Sequence, residues 1–245
     1  MNNQKIGKLY MVATPIGNLE DITLRALRVL KEVDLIACED TRVTGKLLAK
    51  YEIKNKMLSL HSHSKQNKFD LVLNKLVNGE DVAYVTDAGT PGVSDPGFAL
   101  IRAVRNCHPE QNKGSRDSSP AVRNDISIIP IPGSSAVVSA VSVSDLVNKE
   151  FFFAGFLPKK KGRQTKFKEL KNIDAPIVVY ESALRLERTL KDVKEYFGTN
   201  TDVFIAREMT KMFEEYWRGS VEEILADLKN HKLKGEIVLI VRKIV

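Results

Sequence analysis

Short apolar segments alternate with amphipathic segments along the first half of the chain, and this pattern limits the possible folds most strongly. The apolar segments predict buried strands at 9–14 (LYMVAT), 35–38 (LIAC), 82–86 (VAYVT) and 126–130 (ISIIP). The segments between them predict helices at 43–51, 69–77 and 94–105. Asp21 is the predicted N-cap of an earlier helix, and Pro96 the first residue of the helix that ends near Arg105. The alternation predicts an α/β fold with a largely parallel sheet.

The second half repeats the alternation after a polar interruption. Residues 106–125 are rich in Gly, Pro, Ser, Asn and charge, which predicts a loop insertion. Further strands are predicted at 151–156, 177–180, 203–206 and 237–241, helices at 163–171, 184–196 and 221–229, and a hairpin at 209–217. We place a domain boundary near Ile131, which gives an N-terminal α/β domain at 1–131 and a C-terminal α/β domain at 132–245.

Composition narrows the class of protein without assigning a function. No apolar run approaches the roughly 18–20 residues that span a bilayer, and the first residues are polar, so we expect a cytoplasmic protein without membrane contact. Cys38 and Cys107 belong to no C-x-x-C motif. Two free thiols in a reducing cytosol would account for them. The 38 basic and 31 acidic residues give a net charge of +7, which suits an RNA or phosphate partner but also a merely basic protein.

Several familiar catalytic signatures are missing. The chain has neither a phosphate-binding P-loop motif nor the glycine-rich dinucleotide motif. The GVSDP segment around Ser94 resembles the nucleophile turn of serine hydrolases, but proline replaces its second glycine. His61 and His63 could bind a metal, yet no nearby acid or cysteine completes a site, so we expect no metal.

Three turns that combine glycine and proline follow apolar strands, at 13–17 (ATPIG), 87–92 (DAGTPG) and 131–136 (IPGSSA). Glycine allows a ligand to approach the main chain closely, and proline fixes the turn. Ligands of open α/β sheets bind beyond the carboxyl ends of the strands. Any one of these turns could be an ordinary strand-to-helix connection, but three together favour a ligand site.

The ordered motifs of the chain resemble those of the ribosomal RNA small subunit methyltransferase I family, within the tetrapyrrole methylases. The motifs are VATPIGNLEDIT (12–23), CEDTR (38–42), TDAGTPGVSDPG (86–97), PGSSA (132–136), GFLPKK (155–160), YESALR (180–185), AREMTKMFEEYWRG (206–219) and KGE (234–236). The resemblance covers nearly the whole chain. It implies a two-domain tetrapyrrole methylase fold, S-adenosylmethionine in a cleft between the domains, a homodimer, and 2′-O-ribose methylation of a cytidine near the decoding centre of small-subunit ribosomal RNA.

The resemblance also implies residues for the methyl donor. They come from all three turns and from two motifs of the second domain: Pro15, Ala88, Gly89, Thr90, Val93, Ser135, Ala136, Glu181 and Met209. We expect many of these contacts to use the main chain. Because the donor is already activated, the reaction needs alignment of the ribose hydroxyl and removal of its proton rather than a metal.

Glu39, Asp40 and Lys211 are the candidates for this proton transfer. The two acids follow a predicted buried strand, where a carboxylate can be partly desolvated. The alternative is structural: Asp40 caps the next helix and pairs with Arg42, and Lys211 supports its turn. We leave both interpretations open.

A basic segment provides the candidates for RNA contact. Residues 159–171 contain seven basic residues and one acid. Lys159, Lys160, Lys161 and Arg163 follow the GFLP turn, and Arg185 lies at another strand end, so we expect phosphate contacts there. A solvated helix face is the alternative for this segment.

Three other functions compete with ribose methylation. One is a methyltransferase for tetrapyrroles, another is a cofactor-binding RNA module without catalysis, and the most distant is a serine hydrolase that uses Ser94. Methyl transfer to RNA would exclude the second, and labelling of Ser94 by a fluorophosphonate would test the third.

Overall fold

The computed structural model of the protein describes residues 5–61, 66–106, 126–231 and 233–243. Most of the predicted loop insertion and the Ser62–His63 part of the histidine pair therefore lie outside the described residues. The chain divides into two compact units, residues 1–134 and 135–245. The sequence places the boundary slightly earlier, near Ile131.

The first unit contains a parallel sheet with helices between the strands. Its elements are β1 (Leu9–Val12), α1 (Leu24–Glu32), β2 (Leu35–Cys38), α2 (Thr41–Lys50), β3 (Met57–Ser59), α3 (Gln66–Val77), β4 (Val82–Val85), α4 (Gly97–Arg105) and β5 (Ile128–Ile131). The strand order is β3-β2-β4-β1-β5, and every neighbouring pair is parallel. The predicted parallel α/β sheet is confirmed.

Helices cover both faces of this sheet, which explains why its inner strands are apolar throughout. Along β4, Ala83 and Val85 join a cluster with residues of α1 and α2. Val82 and Tyr84 join a second cluster with residues of α3 and α4. Side chains alternate between the faces of a strand, so β4 supplies both cores at once.

The second unit is a mixed sheet. Its elements are α5 (Ala136–Ser142), β6 (Phe152–Phe156), α6 (Arg163–Lys171), β7 (Ile177–Ser182), α7 (Ala183–Phe197), β8 (Asp202–Arg207), β9 (Glu215–Ser220), α8 (Val221–Asp227) and β10 (Glu236–Arg242). The order is β6-β7-β10-β8-β9, with β6 and β7 parallel and the other pairs antiparallel. Helices α6, α7 and α8 pack their apolar side chains on one face. Strands β8 and β9 form an antiparallel hairpin, but the bounds predicted for it are wrong, because residues 209–214 are the connecting loop and β9 begins only at Glu215.

Three local predictions from the sequence are corrected. Thr23, not Asp21, caps α1, because its hydroxyl accepts the Ala26 N–H at 3.1 Å and Asp21 belongs to a separate 3₁₀ turn. Pro96 occupies the N-cap position of α4 rather than its first turn. Strand β3 was not predicted, since it is short and only half buried. No helix in the described parts of the chain is both long and apolar enough to cross a bilayer.

Candidate active site

The loops after β1 and β4 leave adjacent strands of the parallel sheet toward opposite faces. The chain passes from β1 to α1 on one face, and from β4 to α4 on the other. Such a switch in direction opens a crevice beyond the carboxyl ends of the two strands, where ligands of open α/β sheets bind. The topology therefore marks the β1/β4 end as the candidate site.

Two of the predicted turns are joined directly at this switch point. Thr14 and Gly89 form an isolated bridge in which the Thr14 N–H donates to the Gly89 carbonyl at 2.9 Å and the Gly89 N–H to the Thr14 carbonyl at 3.0 Å. The Thr14 hydroxyl also donates to the Thr86 carbonyl at 3.1 Å. Pro15, predicted in the first turn, follows Thr14 and is buried. The bridge fixes the two turns relative to each other.

The third turn is attached to the same end of the sheet. The Ala13 N–H donates to the Ile131 carbonyl at 3.1 Å, and the Thr90 hydroxyl donates to the Ser134 carbonyl at 2.9 Å. Ser135, next in the chain, is in the N-cap position of α5 without a side-chain capping bond, and Ala136 is the first residue of that helix. The structure thus brings the three predicted turns together through main-chain hydrogen bonds and two threonine hydroxyls.

Gly89 lies where a side chain is unfavourable. Its φ is +83°, in the left-handed region, and a Cβ there would lie 3.4 Å from Ile16 Cγ2. Its neighbour Ala88 is exposed, and Thr90 and Val93 are half buried. This turn therefore presents main chain rather than bulky side chains, as a closely bound ligand requires.

The remainder of the β4 loop is held by one carboxylate. Asp95 accepts the Gly92 N–H at 2.8 Å and the Gly97 N–H at 2.7 Å. Ser94 has a φ of 68°, unusual for a residue with a side chain. Asp95 stabilises the loop that contains this strained residue, so the carboxylate next to the hydrolase-like serine has a structural role.

Glu39 and Asp87 place two carboxylates at neighbouring strand ends, after β2 and β4. Glu39 Oε2 accepts the Thr86 hydroxyl at 2.8 Å and lies 3.5 Å from the Asp87 N–H. Burial and the negative charge of Glu39 raise the pKa of Asp87. Two close carboxylates bind a proton more readily than one. Asp87 lies within the TDAGTPG motif but is not among the residues that the sequence predicts for the site.

Asp40 has the contacts of a capping residue. Its carboxylate accepts the Arg42 N–H at 2.8 Å and forms a two-pronged ion pair with the Arg42 guanidinium, with Nη2–Oδ2 at 2.6 Å. The hydrogen bond from the Arg42 side chain lowers the pKa of Asp40 to about 2. A carboxylate with so low a pKa is a weak proton acceptor, so the geometry favours the structural interpretation.

Lys211 is likewise paired with acids. Its ammonium contacts Glu208 at 2.9 Å and Glu236 at 3.0 Å. Burial would lower the pKa of Lys211, but hydrogen bonds to the two glutamates outweigh it and raise the pKa. The side chain is therefore protonated at neutral pH and cannot accept a proton. Of the three predicted bases, Glu39 has the most suitable surroundings.

Replacement of Asp87 by Asn is expected to stabilise the protein at neutral pH, by on the order of a degree in Tm. The raised pKa means that ionised Asp87 costs folding energy. The cost exists above the raised folded-state pKa and vanishes below the ordinary value of 3.8, so the advantage of the variant should shrink as the pH falls. Thermal melts at pH 7.5 and at pH 4 would measure it.

The matched control is Asp70→Asn, on the exposed side of α3. It removes the same charge far from another strand-end carboxylate. Equal Tm changes for the Asp70 and Asp87 variants at both pH values would show that the ionised Asp87 carboxylate does not destabilise the fold.

Two predicted donor-binding residues belong to the second unit. The Glu181 carboxylate is fully buried and contacts Arg185 Nε at 3.1 Å and the Thr189 hydroxyl at 2.7 Å. Met209 is buried at the end of β8. Both Glu181 oxygens are therefore bonded within their own unit. Both assignments remain predictions.

The basic candidates separate into exposed and buried groups. Lys159, Lys160 and Lys161 are exposed. Arg163 is only 3% exposed, and its Nη2 lies 2.6 Å from Asp192 Oδ2. A guanidinium that is buried and paired cannot reach a phosphate, so Arg163 is withdrawn as an RNA contact. Arg185 is partly buried by its pair with Glu181 and by a 2.6 Å hydrogen bond to the Leu157 carbonyl.

Among the described residues, no group of acids, histidines or cysteines has the arrangement of a metal site. The candidate site of the first unit consists of strand-end main chain and the carboxylates of Glu39 and Asp87.

Comparisons with known proteins show the family to which the chain belongs. The family model for tetrapyrrole (corrin/porphyrin) methylases matches residues 8–112 and 116–225. A protein of Thermotoga maritima called ribosomal RNA small subunit methyltransferase I is 44% identical over 235 residues, which cover 96% of this chain and 98% of that protein. The protein of the same name from Halalkalibacterium halodurans is 43% identical, over 96% of this chain and 75% of its own length.

A solved structure shows that the fold is shared more widely. The uroporphyrin-III C-methyl transferase of Thermus thermophilus, in complex with S-adenosylhomocysteine, aligns with a TM-score of 0.63. The alignment covers 96% of this chain and 97% of that one, although only 15% of the residues are identical. The similarity extends across both units of the chain.

Proposed function

Because the chain belongs to the tetrapyrrole methylase family, and within it to the ribosomal RNA small subunit methyltransferase I group, we propose that it transfers a methyl group from S-adenosylmethionine to a cytidine 2′-hydroxyl of 16S ribosomal RNA. The observation that carries the proposal is the position of Glu39 and Asp87. Both carboxylates lie beside the main-chain turns at the β1/β4 switch point.

The turns at the switch point have properties that suit the methyl donor. Gly89 has no side chain and a positive φ, and the exposed Ala88 leaves nearby peptide groups accessible. Peptide N–H and carbonyl groups can hydrogen-bond an adenine edge and an amino-acid head group. We assign donor binding in this unit to Pro15, Ala88, Gly89, Thr90 and Val93.

S-adenosylmethionine supplies a methyl group on a positively charged sulfur, so the methyl needs no further activation. The ribose 2′ oxygen forms a bond to the methyl carbon while the carbon–sulfur bond breaks, and the sulfur keeps that electron pair. The hydroxyl proton passes to the Glu39 carboxylate. Thr86 orients Glu39 through its hydroxyl, and Asp87 lies at the neighbouring strand end.

The exposed lysines at 159–161 provide the proposed contact with RNA. Phosphate binding by lysine is electrostatic and releases counterions, so it weakens steeply as salt increases. The proposal also includes a cytoplasmic location and a homodimer. The tetrapyrrole methylases include enzymes that act on porphyrin-like molecules, and this is the alternative substrate class.

Replacement of Lys159, Lys160 and Lys161 by Ala is expected to weaken binding to small ribosomal subunits on the order of 100-fold at 0.05 M salt. It should reduce the slope of log affinity against log salt by about 2, since each single-strand phosphate contact contributes about 0.7. Filter binding across a salt series would measure both quantities.

The triple variant Lys46→Ala, Lys50→Ala, Lys54→Ala is the matched control. It removes the same charge from exposed positions of the first unit. If both triple variants lose the same affinity, net charge alone drives association. If the 159–161 variant binds like the wild type at every salt concentration, these lysines do not contact RNA.

A competition assay tests the reaction class. Purified protein, labelled S-adenosylmethionine, unmodified small subunits and uroporphyrinogen are incubated together. The proposal predicts label in RNA and none in the tetrapyrrole. Label in the tetrapyrrole alone would establish the alternative, and donor binding without transfer to either acceptor would favour a non-catalytic module.

A further inference from the structure

An exposed phenylalanine marks the edge of the second sheet where β6 ends. Phe156 is 59% exposed, whereas the next residue, Leu157, is buried in the core. The pairing of β6 with β7 shifts register between Phe153 and Gly155, and Gly155 has a φ of +63°. An inserted residue of this kind redirects the side chains that follow it, so the local backbone turns Phe156 outward.

The exposed ring is supported from within the unit. Its centroid lies 5.5 Å from that of Tyr180, at an interplanar angle of 60°. The Tyr180 hydroxyl oxygen in turn accepts the Val137 N–H at 3.2 Å. Phe156 is therefore held in place by one neighbouring ring while much of its surface faces solvent.

Three arginines hold the loop that follows Phe156. Their guanidinium groups donate to three consecutive carbonyls: Arg185 to Leu157 at 2.6 Å, Arg163 to Pro158 at 3.2 Å, and Arg188 to Lys159 at 3.2 Å. Arg163 is paired with Asp192, and Arg185 with buried Glu181. The arginines are thus positioning residues that fix the loop main chain.

This arrangement leaves the lysine side chains available. Lys159, Lys160 and Lys161 are exposed and belong to none of the ion pairs found in the described part of the chain. A loop with a fixed main chain loses less entropy when its side chains bind. Phe156 and Lys159–Lys161 are exposed and lie within six consecutive residues of the chain, and we call these four residues the Phe156 platform.

We propose that the Phe156 platform binds an unpaired nucleotide of the RNA substrate, with the base stacked on Phe156 and the adjoining phosphates on the lysines. The inference rests on the function proposed above and specifies its substrate as single-stranded at this contact. Bases in a duplex are stacked on each other and present no free face, whereas unpaired bases stack on aromatic side chains. Lysines alone would bind any polyanion; the ring adds the selectivity for an unpaired base.

A second copy of the chain is a poorer occupant of this surface. A twofold contact is self-complementary, so it would bring Lys159–Lys161 of one copy close to the same lysines of the other. Like charges opposed in this way are repulsive. The charge of the platform therefore favours a polyanion.

The test is steady-state methyl transfer to unmodified small subunits by Phe156→Leu and Phe156→Trp. Leucine keeps the apolar volume but removes the aromatic face. We expect Phe156→Leu to raise KM for subunits about fivefold to over a hundredfold, with kcat and KM for S-adenosylmethionine unchanged. Phe156→Trp should restore KM. Phe98→Leu, at a phenylalanine of the first unit that is 60% exposed, is the matched control.

The outcomes separate this inference from the function on which it rests. If Phe156→Leu and Phe98→Leu have the same KM for subunits while transfer continues, the platform is wrong and the function stands. If wild-type protein transfers no methyl group to subunits, the function fails. If Phe156→Leu changes the sedimentation coefficient and Phe156→Trp does not restore KM, the surface is an interface between copies and the inference is overturned.

Discussion

Replacement of Glu39 by Gln is expected to reduce kcat for methyl transfer by about 10²- to 10⁴-fold, the usual contribution of a positioned general base. Glutamine keeps the shape of the side chain and can still accept the hydroxyl of Thr86, which donates to Glu39 at 2.8 Å. It cannot accept the ribose proton. Affinity for S-adenosylmethionine should not change, because the assigned donor contacts lie in the turns. Single-turnover kinetics with unmodified subunits and calorimetric titration of the donor would measure the two effects.

Asp40→Asn and Glu32→Gln are the controls for this experiment. Asparagine caps helices as well as aspartate does, and the ion pair of Asp40 with Arg42 is exposed on the arginine side, so we expect a far smaller decrease in kcat. Glu32 takes part in an exposed ion pair with Arg28, so Glu32→Gln should leave kcat unchanged. A large loss in Asp40→Asn together with normal turnover in Glu39→Gln would reverse the assignment of the base.

Replacement of Gly89 by Val is expected to weaken S-adenosylmethionine binding on the order of 100-fold or more. The φ of +83° is unfavourable for any side chain and most of all for a branched one. The added Cβ would lie 3.4 Å from Ile16 Cγ2, about van der Waals contact, so the strain comes from the backbone, and its relief would disturb the Thr14–Gly89 bridge. Isothermal titration calorimetry would measure the loss.

Gly162→Val distinguishes loss of the site from general backbone strain. Gly162 has nearly the same φ, +81°, but nothing lies within 4 Å of its Cβ position. Both variants should lose stability in thermal melts because of the positive φ, and only Gly89→Val should lose donor affinity. Unchanged affinity in a folded Gly89→Val protein would mean that the donor binds elsewhere.

The alternation of apolar and amphipathic segments predicted the first sheet well because both of its faces are covered. A strand such as Val82–Val85 is buried on both sides and therefore apolar at every position. Met57–Ser59 gave no such signal, since this edge strand is half exposed. The choice between Asp21 and Thr23 as N-cap could not be made from sequence, because both residue types cap helices.

The turns of the site could be found from sequence because glycine and proline mark them directly. The roles of charged residues could not, since their partners are distant in the chain. Arg163 lies in a lysine-rich segment, yet its partner Asp192 is on another helix, so a buried arginine was assigned to RNA. Asp87 could not be predicted from its own motif, because part of the rise in its pKa comes from the charge of Glu39, which follows a different strand.

The position of the transferred methyl group tests the central claim most directly. Unmodified small subunits are incubated with the protein and S-adenosylmethionine labelled in its methyl group, and the purified RNA is hydrolysed in alkali. Alkaline cleavage requires a free 2′-hydroxyl, so ribose methylation predicts that the label remains in a dinucleotide whose first residue is cytidine. Label in a mononucleotide would place the methyl group on a base and contradict the proposed reaction.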